Sequence, residues 1–320
     1  MIFLSVHSGG IEKGDEKYKK WVILYHLFMK NRFKSHSYFI SYHRPFRIGR
    51  MVSEPAIELI QVYKHFGKKE VLRGLNLSVF RGETLAVIGQ SGVGKSVILK
   101  LMVGLICPDR GKVLVDGEDI NSAGVKSLYR IRKKFGFLFQ GAALLDSLTV
   151  GENVGLGLAE HSTVTQEEIR RIVSEKLGMV GMKEAEDHLP ADLSGGMKKR
   201  VGLARAIAME PEIILYDEPT TGLDPITSDS INELIIDLKN RLSITSVVVT
   251  HDMPCVRRVA NRAAMIHNGE IVFTGSIADL DTTDNPLVRQ FVEGRAEGPI
   301  KPAFEVKTED ENGILSTIIK

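Results

Sequence analysis

The chain has 320 residues, of which 43% are hydrophobic and 26% charged, and this balance excludes a disordered or fibrous protein. Its two cysteines, Cys107 and Cys255, cannot form a disulfide framework, and no apolar run reaches the roughly 18 residues that a membrane-spanning helix needs. The net charge of +2 conceals an asymmetry, because residues 1–50 carry ten Lys and Arg against three Asp and Glu and hold ten of the 21 aromatic residues.

Residues 1–50 therefore form a basic, aromatic extension that we separate from the main domain. A segment of this composition can bind nucleic acid or an anionic membrane surface. The plainer alternatives are an extension without a fixed structure and translated upstream sequence with the true start at Met51. A targeting peptide is disfavoured by Glu12, Asp15 and Glu16, since transit peptides are poor in acidic residues.

From Met51 onward the pattern predicts strands that alternate with helices, which is typical of an α/β domain with a parallel sheet. Residues 56–63 and 71–80 alternate apolar and polar side chains, as half-buried antiparallel strands do. Short apolar runs and helical spacings predict the later elements. They are strand 84–89, helix 95–105, strand 135–139, a helix capped by Thr165 and Glu168, strand 213–216, helix 230–242, strand 245–249 and a hairpin over 263–275 with an Asn-Gly turn.

A glycine-rich loop lies between the third predicted strand and the helix that follows it. The loop matches the pattern G-x-x-x-x-G-K-[ST] at every fixed position, and its backbone N–H groups and the helix N-terminus can surround phosphate oxygens. We expect Lys95 to reach the β- and γ-phosphates of a nucleotide and the Ser96 hydroxyl to bind Mg²⁺. The predicted phosphate cradle comprises Gly89, Gln90, Ser91, Gly92, Val93, Gly94, Lys95 and Ser96.

Two carboxylates follow the apolar strand 213–216, and we expect them at the edge of the sheet where the phosphates lie. Asp217 is predicted to hold Mg²⁺, directly or through water. Glu218 then has no metal to bind and can act as the general base for the attacking water. A solvated Asp-Glu pair at a strand end is the structural alternative.

A second loop, Leu193-Ser194-Gly195-Gly196-Met197, precedes a basic, alanine-rich helix over 198–208. Ser194, Gly195 and Gly196 place free N–H groups at a helix start, which makes a second anion site without a lysine. Two such helix starts, about 100 residues apart, suit a nucleotide that is held from both sides. A serine N-cap followed by flexible glycines is the alternative.

These motifs resemble, over residues 55–280, those of the ATP-binding subunits of ABC transporters. Leu193 to Gly196 match that family's signature loop, although Met197 stands where glutamine is most common. The resemblance implies ATP hydrolysis and an ABC ATP-binding domain over residues 51–283. Such a domain has a P-loop NTPase core, an antiparallel β subdomain and a helical subdomain, here inserted at about 142–208.

The same resemblance assigns roles to four further residues. Gln140 is similar to the Q-loop glutamine, which contacts Mg²⁺ or water and senses the membrane partner. Asp224 resembles the D-loop aspartate at the dimer interface, and His251 resembles the switch histidine that holds the γ-phosphate. Phe66 resembles the aromatic residue that stacks on adenine, with core packing as the alternative and Tyr63 as a nearby substitute.

Features outside the nucleotide motifs resemble the ATPase of Mla-type phospholipid transporters, which work with a lipid-shuttling MCE protein. They are the segment 139–150, Met197, the run Asp224 to Ser228, and the C-terminal residues 288–291 and 298–299. The resemblance implies ATP and Mg²⁺ as cofactors and a homodimer at the cytoplasmic face of the inner membrane. It also implies transmembrane permease subunits, an MCE partner and a small STAS-like subunit, and no nucleic acid. An importer ATPase for an amino acid or metal is the alternative.

Three other classes of nucleotide-binding protein fit the sequence less well. Chromosome-organising and repair ATPases separate the two phosphate motifs by a long coiled coil, whereas here about 100 residues intervene without sustained heptads. A translation-factor ATPase usually carries two nucleotide domains, and this chain has one set of motifs. A GTP-binding switch needs Asn-Lys-x-Asp, which the sequence lacks.

The C-terminal segment 284–320 is predicted to be a tail that reaches the partner subunit of the dimer. Pro286 is expected to lead the chain away from the core, and glycines and prolines then prevent a long helix. Packing on its own core is the alternative. The apolar residues that a purely solvated tail does not need are Leu287, Val288, Phe291, Ile300 and Phe304.

A shortened chain that begins at Met51 is predicted to fold, bind ATP and assemble normally, because every motif lies downstream of residue 55. Nucleotide affinity, ATPase rate and solubility of the two chains, measured side by side, check this. Loss of activity or solubility in the shortened chain would show that the extension is structural.

Overall fold

A computed structural model describes residues 55–161 and 163–301, and the backbone of two short strands at 306–309 and 315–318. The basic extension 1–50 and the tail residue Phe304 lie outside the described residues. Within the described ranges, every helix is too short or too polar to cross a lipid bilayer.

Strands along the described chain form two sheets and a terminal hairpin. They are β1 (Pro55–Phe66), β2 (Lys69–Phe80), β3 (Thr84–Ile88), β4 (Arg110–Val115), β5 (Glu118–Asp119), β6 (Phe135–Leu138), β7 (Ile213–Asp217), β8 (Thr245–Val249), β9 (Arg262–His267), β10 (Glu270–Ser276), β11 (Val306–Glu309) and β12 (Leu315–Ile318).

The smaller sheet is antiparallel, with the order β2-β1-β4-β5, and the larger sheet has the order β10-β9-β3-β8-β7-β6. Pairing is parallel from β9 through to β6, and only the β9–β10 hairpin of this sheet is antiparallel. Both central residues of that hairpin's turn, Asn268 and Gly269, have positive φ, as a two-residue turn of this kind requires. The predicted α/β class, with an antiparallel β subdomain, is therefore confirmed.

Strand β7 shows why its sequence is apolar without alternation. Ile214 and Tyr216 belong to one hydrophobic core, whereas Ile213 and Leu215 on the opposite face of the strand belong to another. Both faces of the larger sheet are thus covered, which is the usual setting for parallel strands. Asp217 is the last residue of this buried strand and therefore lies at the edge of the sheet.

Helices surround the larger sheet or pack in the insertion between β6 and β7. They are α1 (Lys95–Met102), α2 (Val125–Arg132), α3 (Val150–His161), α4 (Gln166–Met179), α5 (Gly195–Ile207), α6 (Pro225–Leu242), α7 (Met253–Val259), α8 (Ile277–Thr282) and α9 (Pro286–Glu293).

Capping residues explain where the helices depart from the predicted bounds. Helix α1 ends before residue 105 because the chain turns at Gly104, which has φ of 64°. Helix α6 begins at Pro225 rather than residue 230, because the Asp224 side chain accepts hydrogen bonds from the N–H groups of Ile226 and Thr227. The predicted cap of α4 is present, since the Thr165 side chain accepts from the Glu168 N–H.

Helices α3, α4 and α5 pack together through buried aliphatic residues such as Val154, Val173 and Val201. The same core cluster contains Leu138 of β6 and Tyr216 of β7. The helix that starts at Ser194 is consequently packed against the strands that lead to the two predicted catalytic loops.

Residues 286–300 fold back on their own domain, so the expectation that Pro286 leads the chain away from the core is wrong. Val288 and Ile300 are buried in one cluster with Leu280. The tail side chains that pack partly against this cluster are Leu287, Phe291 and Val292. The folded unit extends past residue 283, the predicted domain end, to residue 300, and contact with a second subunit stays a prediction.

A buried glutamine holds this turn of the tail. The Gln290 amide donates to the Ile300 carbonyl at 2.9 Å and accepts from the Ile300 N–H at 2.7 Å. We predict that Gln290→Ala lowers the free energy of unfolding by about 1–3 kcal/mol, because it leaves both groups of Ile300 unpaired inside the protein. Urea unfolding measures the change.

The matched control is Gln166→Ala, because Gln166 is exposed at the first turn of α4. We expect this control to stay within about 0.5 kcal/mol of the unaltered chain. Equal stability of the two variants would contradict the fold of the tail.

Candidate active site

The larger sheet brings four of the predicted motifs to one edge. Strands β3, β6, β7 and β8 run parallel, so their carboxyl ends lie side by side. The cradle follows β3, and the register of the central strands places Val249 at the end of β8 beside Asp217 at the end of β7. Gln140 follows β6 and His251 follows β8 within a few residues of this edge.

The loop between β3 and α1 has the backbone that a phosphate cradle needs. Gly89 has φ of 151°, and a Cβ there would lie 2.5 Å from the Ile266 carbonyl oxygen. Gly94, at φ 114°, is the N-cap of α1. Both positions therefore require glycine, and the loop ends at a helix N-terminus that favours anions.

Lys95 is buried at the centre of the cradle. Its Nζ donates to the Gly89 and Gln90 carbonyls at 2.8 and 3.1 Å and lies 3.8 Å from Glu218 Oε1. Burial lowers the pKa of Lys95, while the charges of Glu218 and Asp217 oppose that shift. The other cradle residues surround it, with Ser91 exposed and Val93 partly buried.

Ser96 and Asp217 form the predicted metal pair. Ser96 Oγ donates to Asp217 Oδ1 at 3.0 Å, and the Asp217 carboxylate is almost fully buried. Burial raises the pKa of Asp217, and the Ser96 hydrogen bond acts in the opposite direction. A hydroxyl and a carboxylate at hydrogen-bond distance offer the hard oxygen ligands that Mg²⁺ prefers.

Glu218 is held by residues of its own loop and of the loop that follows β8. Its Oε2 accepts from the hydroxyls of Thr221 and Thr250 at 3.0 and 3.2 Å, and its Oε1 lies 3.0 Å from Nδ1 of His251. The backbone of Glu218 has φ of 51°, which is uncommon for a residue with a side chain. The structure thus brings Lys95, Glu218 and His251 into one contact network.

Gln140 connects to this network through its backbone. The Gln140 carbonyl accepts a hydrogen bond from Lys199, and the same ammonium donates to the Glu218 carbonyl at 2.9 Å. Sequence reasoning missed Lys199. Its spacing of three residues after Gly196 and four before Leu203, both buried, could have indicated that it lies on the buried face of α5.

The second anion loop leads into α5. Ser194 caps α5, and its side chain accepts from the Met197 N–H. A Cβ on Gly195 would contact Leu223, and a Cβ on Gly196 would contact Thr227. These two residues lie on either side of Asp224, the predicted D-loop aspartate. No hydrogen bond found among residues 55–161 and 163–301 joins Ser194–Gly196 to the cradle.

Phe66 ends β1 with its side chain 50% exposed, so the core-packing alternative is wrong. Lys64 Nζ lies 5.5 Å from the centroid of the ring. The turn that follows, at Lys68 and Lys69, lines a cleft together with Gly92 of the cradle. An exposed aromatic ring on the strand that leads to this cleft is available to stack on a planar ligand.

Comparisons with known proteins agree with this geometry. The family model described as ABC transporter matches residues 72–221. The chain is 42% identical over 252 residues to the probable ribonucleotide transport ATP-binding protein mkl of Mycobacterium leprae, covering 79% of this chain and 73% of that protein.

Two further proteins extend the comparison. The chain is 41% identical over 234 residues to the intermembrane phospholipid transport system ATP-binding protein MlaF of Escherichia coli K12, covering 73% and 87% of the two chains. Its fold is similar to a solved dimeric ATP-binding cassette, MJ0796, bound to ADP and phosphate, with a TM-score of 0.64, 35% identity and coverage of 69% and 98%. The chain belongs to the ABC transporter family, as an ATP-binding subunit that hydrolyses ATP.

Proposed function

We propose that this ATPase drives the movement of phospholipid between membranes and that two copies of the chain form the working unit. The observation that carries the lipid assignment is the similarity to the Escherichia coli protein, which spans 87% of that protein and is named for phospholipid transport. Met197 and the run Asp224 to Ser228 point the same way by resemblance.

Each ATP is proposed to bind between two copies of the chain. One copy supplies the cradle Gly89–Ser96, and its partner supplies Ser194, Gly195 and Gly196. Among the described residues no hydrogen bond joins these two loops within one chain, which is compatible with this arrangement, and the dimeric state of the similar cassette supports it. Asp224 caps α6 beside the second loop and is proposed to contact the partner copy.

Ser96, Gln140 and Asp217 are proposed to hold Mg²⁺. In the described part of the chain no group of three or more His, Cys, Asp or Glu side chains could hold a metal ion by itself. This suits a cation that keeps most of its ligands from phosphate and water. Held there, Mg²⁺ would neutralise negative charge on the phosphates during hydrolysis.

The contacts of Glu218 suggest how hydrolysis proceeds. The hydroxyls of Thr221 and Thr250 donate to Oε2, whereas Oε1 faces His251 and Lys95. We propose that Oε1 accepts the proton of the attacking water once those two side chains turn to the phosphates. Lys95 moves from the carbonyls it contacts to the phosphates, and His251, beside Oε1, holds the γ-phosphate. Phe66 stacks on the adenine ring.

We predict that Glu218→Gln keeps ATP binding but lowers the hydrolysis rate by roughly 10²–10⁴-fold, because the amide cannot act as a base. The ATP-bound dimer then accumulates. Steady-state phosphate release measures the rate, and sedimentation with ATP and Mg²⁺ measures the dimer.

Lys95→Ala is the contrasting variant, and it should weaken nucleotide binding itself, since it removes the buried positive charge from the cradle. Hydrolysis by the Glu218→Gln chain at a rate near that of the unaltered chain would refute the assignment of the base.

The assembly is proposed to sit at the cytoplasmic face of the inner membrane. There the dimer would move transmembrane permease subunits, with an MCE lipid-binding protein and a small STAS-like subunit as further partners. No nucleic acid takes part. A small-solute transporter is the second candidate, favoured by the name of the mycobacterial relative, which refers to ribonucleotide transport.

The two candidates predict different complexes. We expect the tagged chain, purified from detergent-solubilised membranes, to carry a permease and an MCE protein and to contain extractable phospholipid. Phospholipid vesicles should then stimulate its ATPase activity, with a Glu218→Gln complex as the control for contaminating ATPases. Recovery of a soluble binding protein, with stimulation by its loaded form and none by lipid, would favour the solute transporter.

A further inference from the structure

Helix α5 carries a buried lysine that contacts two catalytic loops at once. The Lys199 side chain is only 4% exposed, and its ammonium donates to the backbone carbonyls of Gln140 and Glu218. Burial lowers the pKa of Lys199 to about 8, while the charges of Asp217 and Glu218 favour the protonated form. Burying a charged group costs free energy unless the group is paired and hydrogen-bonded.

The same helix carries a second cation that contacts the Gln140 loop. Arg205 donates to the carbonyls of Ala142 and Ala143. Both alanines have positive φ, at 58° and 49°, a conformation that costs free energy for any residue with a Cβ. Surrounding contacts must hold such a backbone in place, and α5 provides three of them, from Lys199 and Arg205.

Glu218 likewise has a backbone with positive φ whose carbonyl accepts a hydrogen bond from α5. Its backbone lies at φ 51°, and its carbonyl accepts from Lys199, whereas its carboxylate is held by Thr221 and Thr250. Lys199 therefore fixes the peptide that carries the carboxylate without using the carboxylate itself.

We infer that Lys199 is a positioning residue for hydrolysis, which ties the helix that begins at Ser194 to the Gln140 loop and to the backbone of Glu218. The inference rests on the proposed role of Glu218 as the base. A shift of the Ser194 loop, such as contact with a nucleotide on a partner copy, is then transmitted along α5 to the carboxylate. Within residues 55–161 and 163–301, the hydrogen bonds of Arg205 go to the Gln140 loop, whereas those of Lys199 reach both loops.

The test compares three substitutions by steady-state kinetics. Lys199→Met keeps the length of the side chain but donates no hydrogen bond, and we expect kcat to fall roughly 10–100-fold with KM for ATP changed less than about 3-fold. Lys199→Arg retains the charge and donors, and kcat should recover to within about 5-fold of the unaltered chain. The matched control is Lys198→Met, on the neighbouring, more exposed position, which should leave both constants unchanged.

Glu218→Gln and the melting temperature with and without ATP are measured alongside. Unaltered kcat in Lys199→Met, while Glu218→Gln is inactive, overturns the inference and leaves the proposed base intact. An active Glu218→Gln chain overturns the base instead. If Lys199 had a purely structural role, Lys199→Met would lower the melting temperature and would reduce kcat and ATP affinity together, and Lys199→Arg would not restore kcat. This outcome also contradicts the inference. Should Lys199→Met fail to fold, Lys199→Gln, a neutral donor of shorter reach, replaces it with the same expected split.

Discussion

Parallel pairing of β3, β6, β7 and β8 is the constraint on which the rest of the molecule depends. Because these strands run in one direction, their carboxyl ends share one edge, and the loops that leave it carry the phosphate cradle, Gln140, Asp217 with Glu218, and His251. Residues 121 positions apart thus meet within hydrogen-bond distance, as Ser96 and Asp217 do, and His251 and Lys95 both approach Glu218 from other loops of this edge.

Burial of this edge gives the groups their properties. Burial takes Asp217 and Lys95 out of water, which raises the pKa of the acid and lowers the pKa of the lysine, and the attraction between their charges opposes both shifts. The strained backbones at Ala142, Ala143 and Glu218 persist because cations from α5 contact their carbonyls. The helix with the second anion loop is in this way part of the catalytic edge.

Contiguous motifs were readable from the sequence, because a glycine-rich loop or a run of apolar residues before two acids carries its own physical explanation. The α/β class followed from patterns of this kind, whereas the role of Phe66 came only from the family resemblance. Lys199 was not foreseen, since its importance depends on carbonyls from two distant loops. The path of the tail was predicted wrongly for a related reason. The apolar side chains of Val288 and Ile300 indicate burial, but the sequence alone does not show that they are buried against the core of their own chain.

The most direct test of the account asks whether the cradle and the Ser194 loop act across two chains. With Glu218→Gln in every chain to prevent hydrolysis, Lys95→Ala and Ser194→Arg chains are mixed, and ATP retained by the isolated dimers is counted. A shared site predicts no retention by either variant alone and one ATP in each mixed dimer, where one cradle and one Ser194 loop remain intact together. Retention by the Ser194→Arg chain alone, or none in the mixture, would contradict it.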